Sequence, residues 1–443
     1  MGPMGPPGHQ VSITPPEPVR ILFITDFYHP YSGGVENHVR AVAAELAARQ
    51  HKVGVATLGP PPGHEPRTMD GSVQVFAVHH SAERIGARFA HTDRPWAPPM
   101  PDPVAAKELR SVISAFKPDL IHGHDWLARS ALPKAVSGDI PIVNSLHYYT
   151  RTCAKKTLWR DDEVCPGPRL RDCLTCAGEH YGRVRGTAVT LGLRLGSALE
   201  DRRTHRWISV SNATAAGNGL PDSAAGPVTA NSERSAVVAN PVPTPVTLTA
   251  AERAEVDLRD VPDGPFILFV GDIRPEKGLT VLTEAVQRLR QDFGDQTPLV
   301  VVGERMHDSI ALPANTIELG PVPNTVVQEL WAQATVGVVP SLWPEPFGLV
   351  AIEAMTAGCP LVASDIGGLQ DILANGGGRL FPPGDSAALA EILSDLLGDP
   401  EARAELAAVG IEQAARYGIG PIVDEIEEQY RLAINSAKAI ASS

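Results

Sequence analysis

ILFITDFYHPYSGGVENHVRAVAAELAARQHKVGVATL, residues 21–58, decides the fold. It opens with a short run, residues 21–26, apolar on both faces, as strands buried in a parallel sheet are. Val35, Val39, Val42 and Leu46 then recur at helical spacing within residues 35–50. Residues 52–58 form a second apolar, β-branched run. Strand–helix–strand is the repeating unit of a doubly wound α/β sheet. The same criterion predicts strands at 73–78, 120–124, 141–147, 207–211 and 235–239. The proline-rich stretch NPVPTPVTLTA, residues 240–250, reads as an interdomain linker. A second series follows, with strands predicted at 266–270, 298–302, 316–319, 336–339, 360–364 and 379–381. Helices are predicted between them at 279–293, 326–334, 349–357 and 386–397, and an amphipathic helix at 421–434 closes the chain. Two consecutive Rossmann-like domains place a cleft between the carboxyl ends of their sheets, where ligands collect.

Length and composition agree with that reading. The 443 residues, 43% hydrophobic, suffice for two cores. A net charge of −13 without a Lys/Arg run excludes a nucleic-acid-binding surface, which needs a basic stripe. A nucleotide ligand needs only a local positive spot. Residues 1–18 are rich in Pro and Gly and lack an apolar segment, so they read as a disordered leader rather than a signal peptide. No apolar run approaches the ~18 residues of a membrane span, and a cytoplasmic protein is expected. Residues 187–203 mix Leu with Arg. An ordinary amphipathic helix is the first reading there, and peripheral membrane contact the second. The expected organisation is therefore an acceptor-side domain at 19–245 with a Cys-rich insertion at 150–182, a ligand-binding domain at 246–415, and a terminal helix within 416–443 that returns to the first domain.

Four constellations could carry chemistry. Gly33 and Gly34 follow the first strand and its loop and open a helix, so backbone amides and a helix N-terminus can meet an anion. The pattern is not the GxGxxG fingerprint, which disfavours a nicotinamide cofactor. In GDIRPEKGL, residues 271–279, Arg274 and Lys277 lie three residues apart after a strand and could clamp a diphosphate. Cations oppose the dipole at a helix start, so a purely structural role gains them little. In PEPFGLVAIEA, residues 344–354, Glu345 sits between two prolines, Gly348 permits close backbone approach, and Glu353 lies one turn into the helix begun by Leu349. One carboxylate could address sugar hydroxyls and the other a ribose. His147 ends the strand PIVNSLH as His124 ends LIHGH, and a histidine there could hydrogen-bond a substrate or be a satisfied structural residue.

With these residues in view, the chain resembles glycosyltransferase family 4, retaining transferases with the GT-B double Rossmann fold, from about Arg20 to Ile434. The likeness is most specific in GDIRPEKGL and in the Glu-x7-Glu pair Glu345/Glu353. It implies that Gly271, Arg274 and Lys277 bind the donor diphosphate, Glu353 the ribose, and Glu345 the transferred sugar. The backbone of Phe347, Gly348, Leu349 and Val350 would meet sugar and phosphates, Gly33 and Gly34 a phosphate, and His147 the reacting sugar. His147, Glu345, Lys277 and Arg274 are thus the expected catalytic set. Asn240-Pro241-Val242-Pro243 departs from the family's Asn-Gly-Val-Asp, which touches no catalytic group. The implied activity is transfer of a hexosyl or N-acetylhexosaminyl unit from a nucleotide-diphosphate sugar, UDP ahead of GDP, to an unidentified hydroxyl acceptor, with no catalytic cofactor. An epimerase or hydrolase on the same scaffold, or a non-catalytic sugar-nucleotide binder, are the alternatives.

Cys153, Cys165, Cys173 and Cys176 fall close together, ending in Cys-x-x-Cys. In a cytosolic chain that spacing favours metal over disulfides, and four thiolates could hold a structural zinc. Disulfides or free thiols are the other readings. Cys359, in AGCPLVAS, is expected in the core.

Overall fold

The structure is a computed structural model that describes residues 18–31, 33–59, 67–81, 97–220, 232–242, 261–306 and 312–442. Nearly all of the expected leader, most of the expected linker, and Ser32 lie outside the described residues.

Strands β1 (Arg20–Thr25), β2 (Lys52–Leu58), β3 (Arg67–Asp70), β4 (Val73–Val78), β5 (Leu120–His124), β6 (Ile142–Leu146), β9 (Arg206–Ser209) and β10 (Ser235–Val237) form one sheet. Its order is β10-β9-β6-β5-β1-β2-β4-β3. Strands β7 (Trp159–Arg160) and β8 (Glu163–Val164) make a separate hairpin. In the large sheet only β3 runs antiparallel. It is also the strand that the sequence did not announce: RTMD has no apolar run, because a largely exposed edge strand buries little. The second sheet contains β11 (Ile267–Val270), β12 (Leu299–Val302), β13 (Thr316–Gly320), β14 (Val336–Val339), β15 (Leu361–Ser364) and β16 (Gly378–Phe381). All its pairs are parallel, in the order β13-β12-β11-β14-β15-β16. Counted within that half, this is the 3-2-1-4-5-6 Rossmann order, with its switch point between β11 and β14.

Both faces of each sheet are buried, which is why the strands read as continuous apolar runs. Ile21 and Phe23 enter one cluster, while Leu22 and Ile24 enter another on the opposite face. In the second sheet Ile267 and Phe269 part from Phe266 and Leu268 in the same way. The helices that come in addition to the predicted ones include two of fourteen or more residues, Pro103–Phe116 and Pro400–Ala414. Each is capped by an aspartate, Asp102 or Asp399, that accepts from two backbone amides of the first turn.

The halves are bolted together at several points. Ser211 Oγ and Thr214 Oγ1 donate to Pro346 O (2.5 and 2.8 Å), and Asn212 donates through its backbone and side chain to Asp371 (2.6 and 3.0 Å). The final helix, Ile419–Ser442, lies on the first sheet's core through Ile422, Val423, Ile426 and Tyr430. Arg49 clamps it by Asp424 (2.5 Å) and Glu427 (2.7 Å). No helix among the described residues is long and apolar enough to cross a membrane.

Candidate active site

A cavity of about 230 Å³ opens between the two sheets, at the carboxyl ends of β11 and β14. Its C-terminal wall begins with Gly271, after β11. The chain then makes a short 3₁₀ turn, Pro275–Lys277, and enters the helix Leu279–Asp292 through Gly278. Gly278 has φ +71°, and a Cβ there would stand 1.7 Å from Pro340 O. Only glycine lets this turn press against the loop after β14, and that contact brings Lys277 to Glu345.

Lys277 Nζ donates to both carboxylate oxygens of Glu345 at 3.0 Å. Trp343 Nε1 (2.7 Å) and Ser341 Oγ (3.2 Å) donate to Glu345 Oε2, and the ammonium lies 5.4 Å from the Trp343 ring centroid. Glu345 is thus fully hydrogen-bonded on the cavity wall, held by the cation that the sequence assigned to a diphosphate. Gly348, at φ +109°, then starts the helix Leu349–Thr356. Its first residues face the helix Gly34–Ala48 across the cavity; Gly34 and Leu349 both line it. Two helix N-termini and one ammonium therefore converge on one space, which is a field for an anion.

The N-terminal wall is buried and histidine-rich. His147 follows β6 and lines the cavity with Tyr148 and Asn240. His124 Nδ1 and His147 Nε2 share a 2.9 Å hydrogen bond in a near-parallel stack. His122, two residues before His124, bonds Tyr430 Oη of the final helix and Ser145 Oγ, each at 2.7 Å. Burial drives His147 down to about 4, against opposing effects of Asp125 and Asn240, so the imidazole is neutral at pH 7. Burial also drives His124 and His38 well below the usual range. Ligand atoms of His38, His124 and His147 lie within 4.8 Å of one another, so this group could hold a metal ion. As they stand, His124 and His147 each spend one ring nitrogen on the other.

Beside them is an acidic pair. Asp26, directly after β1, accepts from the Leu127 amide (2.7 Å), and burial pushes it up to about 7 despite the pull of Lys156. Lys156 Nζ stands 3.9 Å from both Asp26 and Asp125. Sequence reasoning passed over Asp26, Asp125, Lys156, His38 and Asn240. For the two aspartates a signal existed, since both end neighbouring strands at the first sheet's own switch point.

Of the expected residues, His147, Gly34, Gly271, Lys277, Glu345, Phe347, Gly348, Leu349 and Val350 line the cavity. Gly33, Arg274 and Glu353 are not part of that lining. Gly33 is extended and backs onto the Glu36 carboxylate. Arg274 is half exposed beside Asp272 (3.6 Å) and Glu276 (4.0 Å), its loop neighbours. Glu353 sits one turn into its helix, where burial raises it to about 7. Cys359 is in the core.

Residues 32–216 match the family model described as Glycosyltransferase Family 4, and residues 252–413 match Glycosyl transferases group 1. The chain belongs to the family 4 glycosyltransferases. This glycosyltransferase is 29% identical over 409 residues to a glycogen synthase of Mycobacterium tuberculosis (strain ATCC 25618 / H37Rv), covering 87% of each chain. Over 184 residues it is 33% identical to a phosphatidyl-myo-inositol mannosyltransferase of Mycobacterium leprae, covering 40% of this chain and 49% of the relative. Its GT-B fold matches sucrose-phosphate synthase from Thermosynechococcus elongatus at 20% identity and TM-score 0.65, covering 96% of this chain and 100% of the other. HepE of Anabaena, in complex with UDP and glucose, matches at 20% identity and TM-score 0.62, covering 93% and 99%.

Proposed function

We propose that this glycosyltransferase takes a hexosyl or N-acetylhexosaminyl unit from a nucleotide-diphosphate sugar, with UDP ahead of GDP as carrier, and passes it to an acceptor hydroxyl with retention. The observation that carries the reading is the meeting of Lys277, Glu345 and two helix N-termini on one interdomain cavity. Breaking the anomeric bond leaves positive charge on the sugar and negative charge on the departing diphosphate. In this reading Lys277 and the amides of Gly34, Leu349 and Val350 meet the diphosphate, and Glu345 the sugar. A diphosphate entering must draw Lys277 from Glu345, which frees the carboxylate for sugar hydroxyls at the moment the donor arrives. His147, neutral and braced by His124, serves as a hydrogen-bonding partner to the sugar rather than as a cation. The positive field comes from the chain itself, so catalysis is expected to proceed without a divalent metal. Arg274 reaches the diphosphate in this reading only by leaving Asp272 and Glu276, and Glu353 binds the ribose.

Support for UDP comes from the HepE and trehalose-6-phosphate synthase complexes of the same fold, which hold UDP or a UDP-sugar; starch synthase IV, also similar, holds ADP. A panel of UDP-, GDP- and ADP-sugars, assayed for donor consumption with and without acceptors such as glucans and inositol derivatives, tests the proposal. Acceptor-dependent turnover of a UDP-sugar, undiminished by brief EDTA, is expected. Full-rate consumption without acceptor would replace transfer by hydrolysis or epimerisation, and immediate loss in EDTA would move a metal, with the histidine trio as its first candidate site, into the chemistry.

A further inference from the structure

Cys153, Cys165, Cys173 and Cys176 lie outside the donor cavity, and the reaction above leaves them unused. All four are free thiols, half-buried, and all four line one small cavity of about 30 Å³. Cys173 and Cys176 are one turn apart on the helix Leu170–Tyr181, so they share a face. Cys165 follows the β7–β8 hairpin, and Cys153 sits in the turn after His147, its amide on Tyr149 O (2.9 Å).

The chain between Cys153 and Cys165 is thinly cored and holds two residues in a costly backbone conformation. Lys156 and Leu158 have positive φ, +66° and +50°, outside any hairpin turn, whereas Asp161 and Asp162, also positive, are the two central residues of the β7–β8 hairpin, where that conformation is ordinary. Outside such a turn, a left-handed Lys or Leu costs roughly 1 kcal/mol or more and persists where its surroundings over-determine it. Yet from Cys153 to Cys176 the buried apolar side chains are Ala154 and Leu158. Packing of that extent does little to fix Lys156 and Leu158 in the left-handed region, and a cross-link through the four sulfurs would.

We propose that Cys153, Cys165, Cys173 and Cys176 bind one zinc ion as four thiolates, a closed structural site that pins residues 153–176. Binding releases the four thiol protons to solvent and forms four Zn–S bonds of about 2.3 Å, with sulfurs about 3.8 Å apart. Among the described residues no three of these sulfurs come within 4.8 Å of one another, so binding requires the ion to draw the sulfurs together around the cavity they share. The complex carries two negative charges, and Lys155, Arg160 and Arg194 already act on Cys173 or Cys176 to offset them. The pinned segment reaches the cleft. Tyr149 N donates to Lys156 O (3.3 Å), Tyr149 Oη donates to Pro344 O (2.7 Å), and Lys156 faces Asp26 and Asp125. The ion thereby sets the wall opposite Glu345.

The test is elemental analysis and native mass spectrometry of the full chain, purified without chelator. About one zinc per chain is expected, falling to roughly a tenth or less in C173S/C176S and unchanged in C359S. Cobalt(II) exchanged into the wild-type chain should show sulfur-to-metal charge-transfer absorption that weakens in C165S, a readout that survives if the double variant fails to fold. A metal-free chain with four reactive thiols, or with disulfides found by non-reducing peptide mapping, would overturn the site. None of these readouts depends on glycosyl transfer, so failure here and failure of the proposed activity are separable.

Discussion

The two walls of the cleft are built on opposite principles. The C-terminal wall is made of partly solvated charges on loops, Lys277 against Glu345, locked by glycines at fixed positions. Its positions sit close together in GDIRPEKGL and PEPFGLV. The N-terminal wall is made of buried titratable groups from β1, β5, β6 and the helix after β1, and burial has shifted them far from their solution behaviour. The difference teaches that one wall works by net charge and the other by keeping polar groups neutral. Substitutions on the two sides should fail in different ways.

The largest effect is expected at Lys277. Lys277→Ala removes the ammonium from the anion site and leaves Glu345 as an uncompensated negative charge on the cavity wall. Transfer should fall by about 10²–10³-fold or more, with nucleotide-diphosphate affinity down at least tenfold by calorimetry and the melting temperature little changed. If affinity held while the fold stayed intact, the charge-based account of this wall would be wrong. His147 comes next. His147→Ala should cost about 10–100-fold in kcat, the scale of one or two hydrogen bonds to substrate. Because the folded imidazole titrates only near 4, the wild-type kcat should show no His147 limb between pH 6 and 8. A limb near 6.5 that disappears in His147→Ala would mean that this wall also works by charge.

How much of this was legible in the sequence follows the same division. Strands with both faces buried announced themselves as apolar runs, and β2, β4, β5 and β14 match their predicted spans residue for residue. The helices Pro103–Phe116 and Pro400–Ala414 were missed although Asp102-Pro103 and Asp399-Pro400 are start signals, an N-cap followed by proline at N1. Lys277 and Glu345 partner each other across 68 positions, yet each could be named in advance because it sits in a short distinctive motif, GDIRPEKGL or PEPFGLV. His38 and Lys156 could not. What makes them notable is burial and company across 30 to 130 positions of chain, and no local pattern encodes that. Arg274 shows the limit from the other side: its spacing from Lys277 suggested a matched clamp, yet the turn Pro275–Lys277 sends Lys277 toward Glu345 and leaves Arg274 with Asp272.

Glu353 sharpens the comparison with the smallest effect, because it lies in the C-terminal half but belongs physically with the buried groups. Burial alone raises its carboxyl from 4.5 to about 7. Between those values the folded chain retains a proton that the unfolded chain gives up, so this group makes stability fall as pH rises from about 4.5 to 7. The expected loss is on the order of 2 kcal/mol across that window. Glu353→Gln should flatten that slope and melt higher than the wild type at pH 8, by a few degrees. A ribose hydroxyl donating to the carboxylate would favour its charged form, so nucleotide binding should tighten as pH rises through 7 in the wild type and lose that dependence in the variant. Stability curves that stay parallel across pH 5–8 would show Glu353 to be solvated like Lys277 and Glu345, and the division between the walls would then coincide with the division between the domains.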